Sequence, residues 1–295
     1  MLFNGSAVAI VTPFTENGVD LEKLKELVEW HIQEGTKALI VLGTTGENAT
    51  MTEDEKILVW KTVADQAKGR IVLIANTGDN CTADSIERSL KIKGFGYDGI
   101  LLVVPYYNKP QQRGLIAHFN KIVDTVEMPA IIYNVPGRCS LNMEAETILA
   151  CAQNKWIVGV KEASHIDSQI KEIIEKAPKD FGVYCGNDDQ NQDCLEWGAH
   201  GIISVTANIV PNLLSQQCEL ALAGKLKEAN KIHQRLLPLH KTLFIETNPV
   251  GVKAALNAMG KNVGVTRLPL VDMEEDNRKS LVCVLKGQGL VEVCE

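Results

Sequence analysis

Two stretches decide the fold: AIIYNVP at 130–136 and IVGVKEA at 157–163. Each is a continuous apolar run that ends on polar residues, and neither alternates in the way a half-solvated strand would. A continuous run suits a parallel strand covered on both faces. Six more runs of the same kind lie along the chain: AVAIVTP at 7–13, ALIVLG at 38–43, IVLIANTG at 71–78, GILLVVP at 99–105, GVYCGN at 182–187 and GIISVTAN at 201–208.

Helices with readable ends separate them. Leu21, Leu24, Leu27, Val28 and His31 or Ile32 line one face of the first, which Gly35 stops. Thr52 and Glu55 form a capping box for the second, whose buried face is expected to carry Leu58, Val63 and Ala67 before Gly69. Thr82 opens a third, closed by Gly94. Eight strand–helix units predict a (β/α)8 TIM barrel rather than an open sheet. A doubly wound sheet would need a phosphate-binding glycine loop after its first strand, and residues 11–15, VTPFT, are not one. The chain from Pro211 reads as all-helical, with Asn248 and Pro249 expected as cap and first turn of a helix running to Gly260. The predicted organisation is a barrel core over 1–210, followed over 211–295 by the eighth-helix region and a C-terminal helical extension.

Composition excludes several classes of function. The 295 residues are 45% hydrophobic and 23% charged, with a formal net charge of −7 and no cluster of Lys or Arg. Nucleic-acid binding is not expected. No run approaches the ~20 apolar residues of a membrane span. The first residues lack a basic region, so no signal peptide is expected. The eight cysteines (Cys81, Cys139, Cys151, Cys185, Cys194, Cys218, Cys283 and Cys294) form no C-x-x-C pair and mostly sit in apolar stretches. They read as reduced core thiols of a cytoplasmic protein rather than as metal ligands or disulfides.

In a barrel of this kind, chemistry sits where strands end and loops begin. Lys161 closes its run; it either reaches into solvent or, in a partly dry barrel mouth, loses its proton readily and attacks a ketone. Tyr133 ends the preceding strand, so adjacent strands would bring its phenol near Lys161 as a proton donor and acceptor; a core tyrosine is the plainer alternative. Thr44 and Thr45 lie in GTTGE (43–47), where flanking glycines permit a tight turn whose N–H and hydroxyl groups could hold a small carboxylate. Arg138 could pair with a second carboxylate. Tyr106 and Tyr107 follow Pro105. Asp188 and Asp189 lack a histidine or third acid and read as a capped turn, not a metal site.

Together these residues resemble the dihydrodipicolinate synthase family, within the pyruvate-dependent lyases. The shared landmarks are GSAVAIVTPF, GTTGE, PYYNKPQQRGL, YNVPGR, GVKEAS, HGIISVTAN and PLHKTLFIETNPVGVK, in that order across nearly the whole chain. The resemblance implies that pyruvate forms an imine on Lys161, becomes an enamine, and attacks L-aspartate 4-semialdehyde, on the route to diaminopimelate and lysine. It implies no metal or organic cofactor. Tyr133 would be the general acid/base, linked through Thr44 to Tyr107, which reaches in from a neighbouring subunit of a homotetramer (a dimer of dimers). Thr44 and Thr45 would hold the pyruvate carboxylate and Arg138 that of the semialdehyde. Gly186 and the backbone of Ile203 would line the pocket.

The chain departs from the family in two places. Where relatives read Arg-Thr-Gly it has Arg138-Cys139-Ser140, and the missing glycine bears on the loop that aims Arg138. At the interface site where lysine-inhibited members bind lysine, it keeps Ala49, Asn80 and Tyr106. Asp84 replaces a glutamate there, and Glu53 and Lys56 replace two histidines. An ammonium at Lys56 should repel a cationic effector, so weak or absent lysine inhibition is expected. N-acetylneuraminate lyases and keto-deoxy-sugar aldolases share the imine chemistry but typically carry an uncharged residue at the position of Arg138. A non-catalytic ligand-binding barrel would be expected to have lost Lys161, Tyr133 or a relay hydroxyl, and all are present.

Overall fold

The computed structural model describes residues 1–292, so Cys294 lies outside the described residues. All eight apolar runs become strands: β1 (Gly5–Ala9), β4 (Ala38–Val41), β5 (Val72–Asn76), β6 (Gly99–Val103), β7 (Ala130–Asn134), β8 (Ile157–Glu162), β9 (Gly182–Cys185) and β10 (Gly201–Ser204). Two short strands, β2 (Phe14–Thr15) and β3 (Gly18–Val19), make a hairpin after β1. The eight long strands are parallel and close in the order β1-β10-β9-β8-β7-β6-β5-β4, with β4 returning to β1. This is the (β/α)8 barrel, with a helical extension at its C-terminal end.

Closure demands close backbone approach between β1 and β10. Gly5 pairs with Gly201, and a Cβ on Gly201 would lie 2.1 Å from the Gly5 carbonyl oxygen, so no larger residue fits. Beneath, Phe3 stacks on Tyr184 at 4.3 Å, and the Tyr184 hydroxyl donates to the Phe3 carbonyl at 2.9 Å. The phenol thereby satisfies its one polar group inside an apolar floor.

The principal helices of the outer ring are α1 (Leu21–Gln33), α2 (Glu53–Ala67), α3 (Thr82–Ile92), α4 (Gln112–Val126), α6 (Ala145–Cys151), α7 (Asp167–Lys176), α8 (Asn191–Glu196) and α9 (Pro211–Leu222). A single turn, α5 (Pro136–Cys139), follows β7, and α10 (Leu226–Thr242), α11 (Val250–Ala258) and α12 (Glu275–Gly287) complete the described chain. The Thr52/Glu55 capping box forms as the sequence predicts. Leu58 does not join the buried face of α2: it is exposed, while Val59, Trp60, Val63 and Ala67 are buried. Val59, Val63 and Ala67 recur every four residues, and Leu58 stands a full residue rotation away from that stripe. Asn248 does not cap α11 either. Pro249 occupies the cap position, and the Asn248 side chain turns inward to donate to the Thr45 hydroxyl at 2.9 Å. Among the described cysteines, Cys139, Cys151, Cys185, Cys194 and Cys218 are buried, Cys81 and Cys283 are exposed, and all are free. No helix among the described residues is long and apolar enough to cross a membrane.

Candidate active site

The register between β7 and β8 pairs Tyr133 with Lys161 and Asn134 with Glu162. Side chains alternate across a strand, so the first pair faces the barrel mouth and the second the surrounding helices. Outside, the Glu162 carboxylate accepts both from Asn134 Nδ2 (3.1 and 3.0 Å) and from the Ser164 N–H (2.8 Å) and Gln169 Nε2 (3.2 Å). Asn134 Oδ1 accepts from the Met143 N–H at 3.0 Å. A carboxylate so deeply buried stays only with several donors around it. Here those donors lock two strands, α7 and the loop after α5 into one register.

Inside, Lys161 is 5% exposed and its Nζ lies 4.3 Å from the centre of the Tyr133 ring. Burial lowers its pKa to about 8, opposed by the negative charge of Asp188 and assisted by the positive charge of Arg138. Burial also pushes the Tyr133 phenol up to about 12, against the pull of Arg138 and a hydrogen bond with Thr44. The pair is therefore a lysine that sheds its proton easily beside a phenol that keeps its own. Asp188 is engaged by the backbone: its Oδ2 accepts the N–H groups of Val205 and Thr206 at 2.9 and 2.8 Å, tying the β9 loop to the end of β10.

A recess of about 70 Å³ surrounds Lys161, walled among others by Thr44, Thr45, Tyr133, Arg138, Gly186 and Asn248. A larger cavity of about 310 Å³ shares Thr44, Tyr133, Arg138 and Asn248, and extends past Ala49, Lys56, Tyr106 and Cys139. Gly186 is required by space, since a Cβ there would lie 3.0 Å from Lys161 Cε and 2.9 Å from the Ala163 Cβ. Arg138 Nη2 donates to the Asn248 carbonyl at 2.9 Å, which aims the guanidinium along the wall. The residue two positions on, Ser140, takes the left-handed conformation (φ 54°) that a glycine would adopt freely, and its N–H donates to the Pro136 carbonyl at 2.8 Å. A left-handed serine there costs about 1 kcal/mol relative to glycine.

Six of the eight residues singled out in the sequence meet at this recess: Lys161, Tyr133, Thr44, Thr45, Arg138 and Gly186. Two do not. Ile203 is buried within β10, and at that strand's end Val205 forms the wall. Tyr107 is 90% exposed with φ 69° and lines neither cavity, whereas Tyr106 lines the larger one. Asn248, which touches Thr45 and Arg138 at once, presents in the sequence only the features of a helix cap. Its position just before the Pro-Val-Gly-Val-Lys stretch carries no chemical signature by itself.

Lys56 is buried against the cavity and bonded to Glu53 at 2.8 Å; Arg88 reaches Glu53 at 3.1 Å and pairs with Asp79. The expected lone ammonium is thus one of two cations matched by two carboxylates, and simple repulsion of a cation is weaker than the sequence suggests. What remains is that both carboxylates already have partners.

The matching family model, described as the dihydrodipicolinate synthetase family, covers residues 2–288. A 4-hydroxy-tetrahydrodipicolinate synthase of Thermoanaerobacter sp. (strain X514) is 49% identical over 292 residues, 99% of this chain and 98% of that one. The crystal structure of dihydrodipicolinate synthase from Thermotoga maritima superposes with a TM-score of 0.97 at 40% identity, over 99% of this chain and 100% of its own. That of the chloride-inhibited enzyme from Acinetobacter baumannii complexed with pyruvate gives 0.96 at 41% identity, over 98% and 100%. On these matches the chain belongs to the dihydrodipicolinate synthetase family.

Proposed function

We propose that this chain acts as a 4-hydroxy-tetrahydrodipicolinate synthase, condensing pyruvate with L-aspartate 4-semialdehyde through an imine on Lys161. The observation that carries this reading is the Lys161–Tyr133 pair: a dry amine with a pKa of about 8 against a phenol that stays protonated. The pyruvate carboxylate sits on Thr44 and Thr45, which places the keto carbon before Nζ. The amine attacks that carbon, and Tyr133 donates the proton that lets the former carbonyl oxygen leave as water. The imine nitrogen then draws electrons from the methyl group; the tyrosinate takes a methyl proton, leaving an enamine whose terminal carbon attacks the aldehyde. Arg138, a fixed cation on the shared wall, holds the semialdehyde carboxylate and favours this substrate over sugar acids. The semialdehyde's own amine finally displaces Lys161 as the ring closes.

In this reading residues 1–210 are the catalytic barrel and the chain from 211 its closing helix and extension. The working unit is a homotetramer in the cytoplasm, in which Tyr107, exposed in the single chain, enters a neighbour's site and completes the relay through Thr44. Gly186 contributes a wall.

The test is turnover of pyruvate and L-aspartate 4-semialdehyde, coupled to an NADPH-dependent reductase, alongside borohydride trapping of pyruvate. Turnover that disappears in Lys161→Ala, together with a trapped adduct on Lys161, is expected. An adduct without turnover would move the assignment to a sugar-acid lyase. No adduct would end the aldolase reading.

A further inference from the structure

Glu47 closes the turn that carries Thr44 and Thr45, and it does so in the left-handed region (φ 56°) despite having a side chain. Such a conformation persists only where the surroundings over-determine it. Here they do. The Glu47 carboxylate is 2% exposed and bonds Lys253 Nζ at 2.7 Å, while its other oxygen accepts the Arg267 N–H at 2.9 Å. Lys253, also 2% exposed, donates to the Val265 carbonyl at 2.8 Å and lies over the Phe14 ring. Neither charge lines the recess around Lys161, and Glu47 borders the larger cavity. Five residues before Lys253, Asn248 donates to the Thr45 hydroxyl at 2.9 Å. One short piece of the C-terminal extension therefore grips the turn at two points, Thr45 and Glu47.

A buried ion pair adds little net stability over an apolar pair of similar volume, so stability does not account for it; fixing one geometry does. We infer that the Glu47–Lys253 pair is a positioning device that holds the Thr44–Thr45 turn in the shape that receives the ketoacid carboxylate, making α11 a working part of the pyruvate site. Glu47 and Lys253 touch no reacting atom; they act through the turn. The inference rests on the assignment of Thr44 and Thr45 to the pyruvate carboxylate.

The probe is pyruvate itself, read as the concentration that half-saturates borohydride trapping at Lys161. KM for each substrate and thermal unfolding are measured in parallel. Loosening one anchored cradle should raise half-saturating pyruvate by about tenfold in Glu47→Gln and Lys253→Met, the loss of about one charge-assisted hydrogen bond. KM for the semialdehyde should stay within about twofold. Lys253→Arg, which keeps the charge, should move pyruvate affinity less than Lys253→Met. The double variant Glu47→Gln/Lys253→Met leaves no lone buried charge and should regain thermal stability without regaining pyruvate affinity. A merely structural pair would recover both together. Wild-type trapping beside a folded double variant that saturates at the wild-type pyruvate concentration would overturn the inference. No adduct on the wild-type chain would instead sink the parent assignment, and the clamp with it.

Discussion

The most informative perturbation of this site is pH, because the lysine's reactivity is set by its burial. At a pKa of about 8, about a tenth of Lys161 is free amine at pH 7. At the ordinary lysine value the share would be about one in three thousand, so the dry mouth of the barrel raises the reactive form about 300-fold. The direction follows from desolvation: burial penalises the ammonium, so the proton leaves at lower pH than it would in water. The rate of imine formation at sub-saturating pyruvate, quenched rapidly into cyanoborohydride and read by mass spectrometry, should climb about tenfold per pH unit below 8. Above that it should bend to a plateau. Tyr133, at about 12, stays protonated across this range and adds no second bend. Pyruvate remains ionised throughout, so the profile belongs to the enzyme. A log-linear rise continuing through pH 9.5 would show that Lys161 titrates as a solvated lysine, and the argument from burial would fall.

Other consequences follow from particular contacts. Gly186→Ala places a Cβ about 3 Å from Lys161 Cε with Ala163 and the Glu162 backbone behind it, so the lysine must yield. A shift approaching 1 Å should lower kcat by about 100-fold with the protein still folded, and near-normal kcat in the coupled assay would refute the steric reading. In Glu162→Gln an amide replaces the acceptor shared by Asn134, Ser164 and Gln169, leaving at least one buried donor without a partner. That should cost about 1–3 kcal/mol, visible as a Tm lower by roughly 2–10 °C; an unchanged Tm would show that the clasp is dispensable. With Glu53 and Asp79 already engaged by Lys56 and Arg88, half-inhibition by lysine should need concentrations above about 1 mM, weaker than about −4 kcal/mol of binding. Inhibition well below that would mean the ion pairs open for the effector.

The strands were legible because a buried parallel strand must be apolar on both faces, and nothing else in the chain repeats that pattern eight times. The strand-end rule then picked out Lys161 and Tyr133 without any knowledge of their contacts. Local chemistry was legible for the same reason at the Thr52 cap, where both partners lie within one turn. It failed at Leu58, one residue off the buried stripe, because apolar identity alone does not say how a helix is rotated against its neighbours.

What the chain could determine alone was the order of elements and the residue types at their ends, both of which depend on near neighbours in sequence. Tertiary structure alone decided that Asn248 serves Thr45 and Arg138 rather than a helix end, and that Glu47 finds its counter-charge at Lys253, 206 residues away. It also decided that Lys56 is already paired within a balanced cluster. Those facts depend on desolvation and on charges meeting across the fold. A lysine's pKa, or a carboxylate's partner, is a property of the space around it, and that space exists only once the barrel has closed.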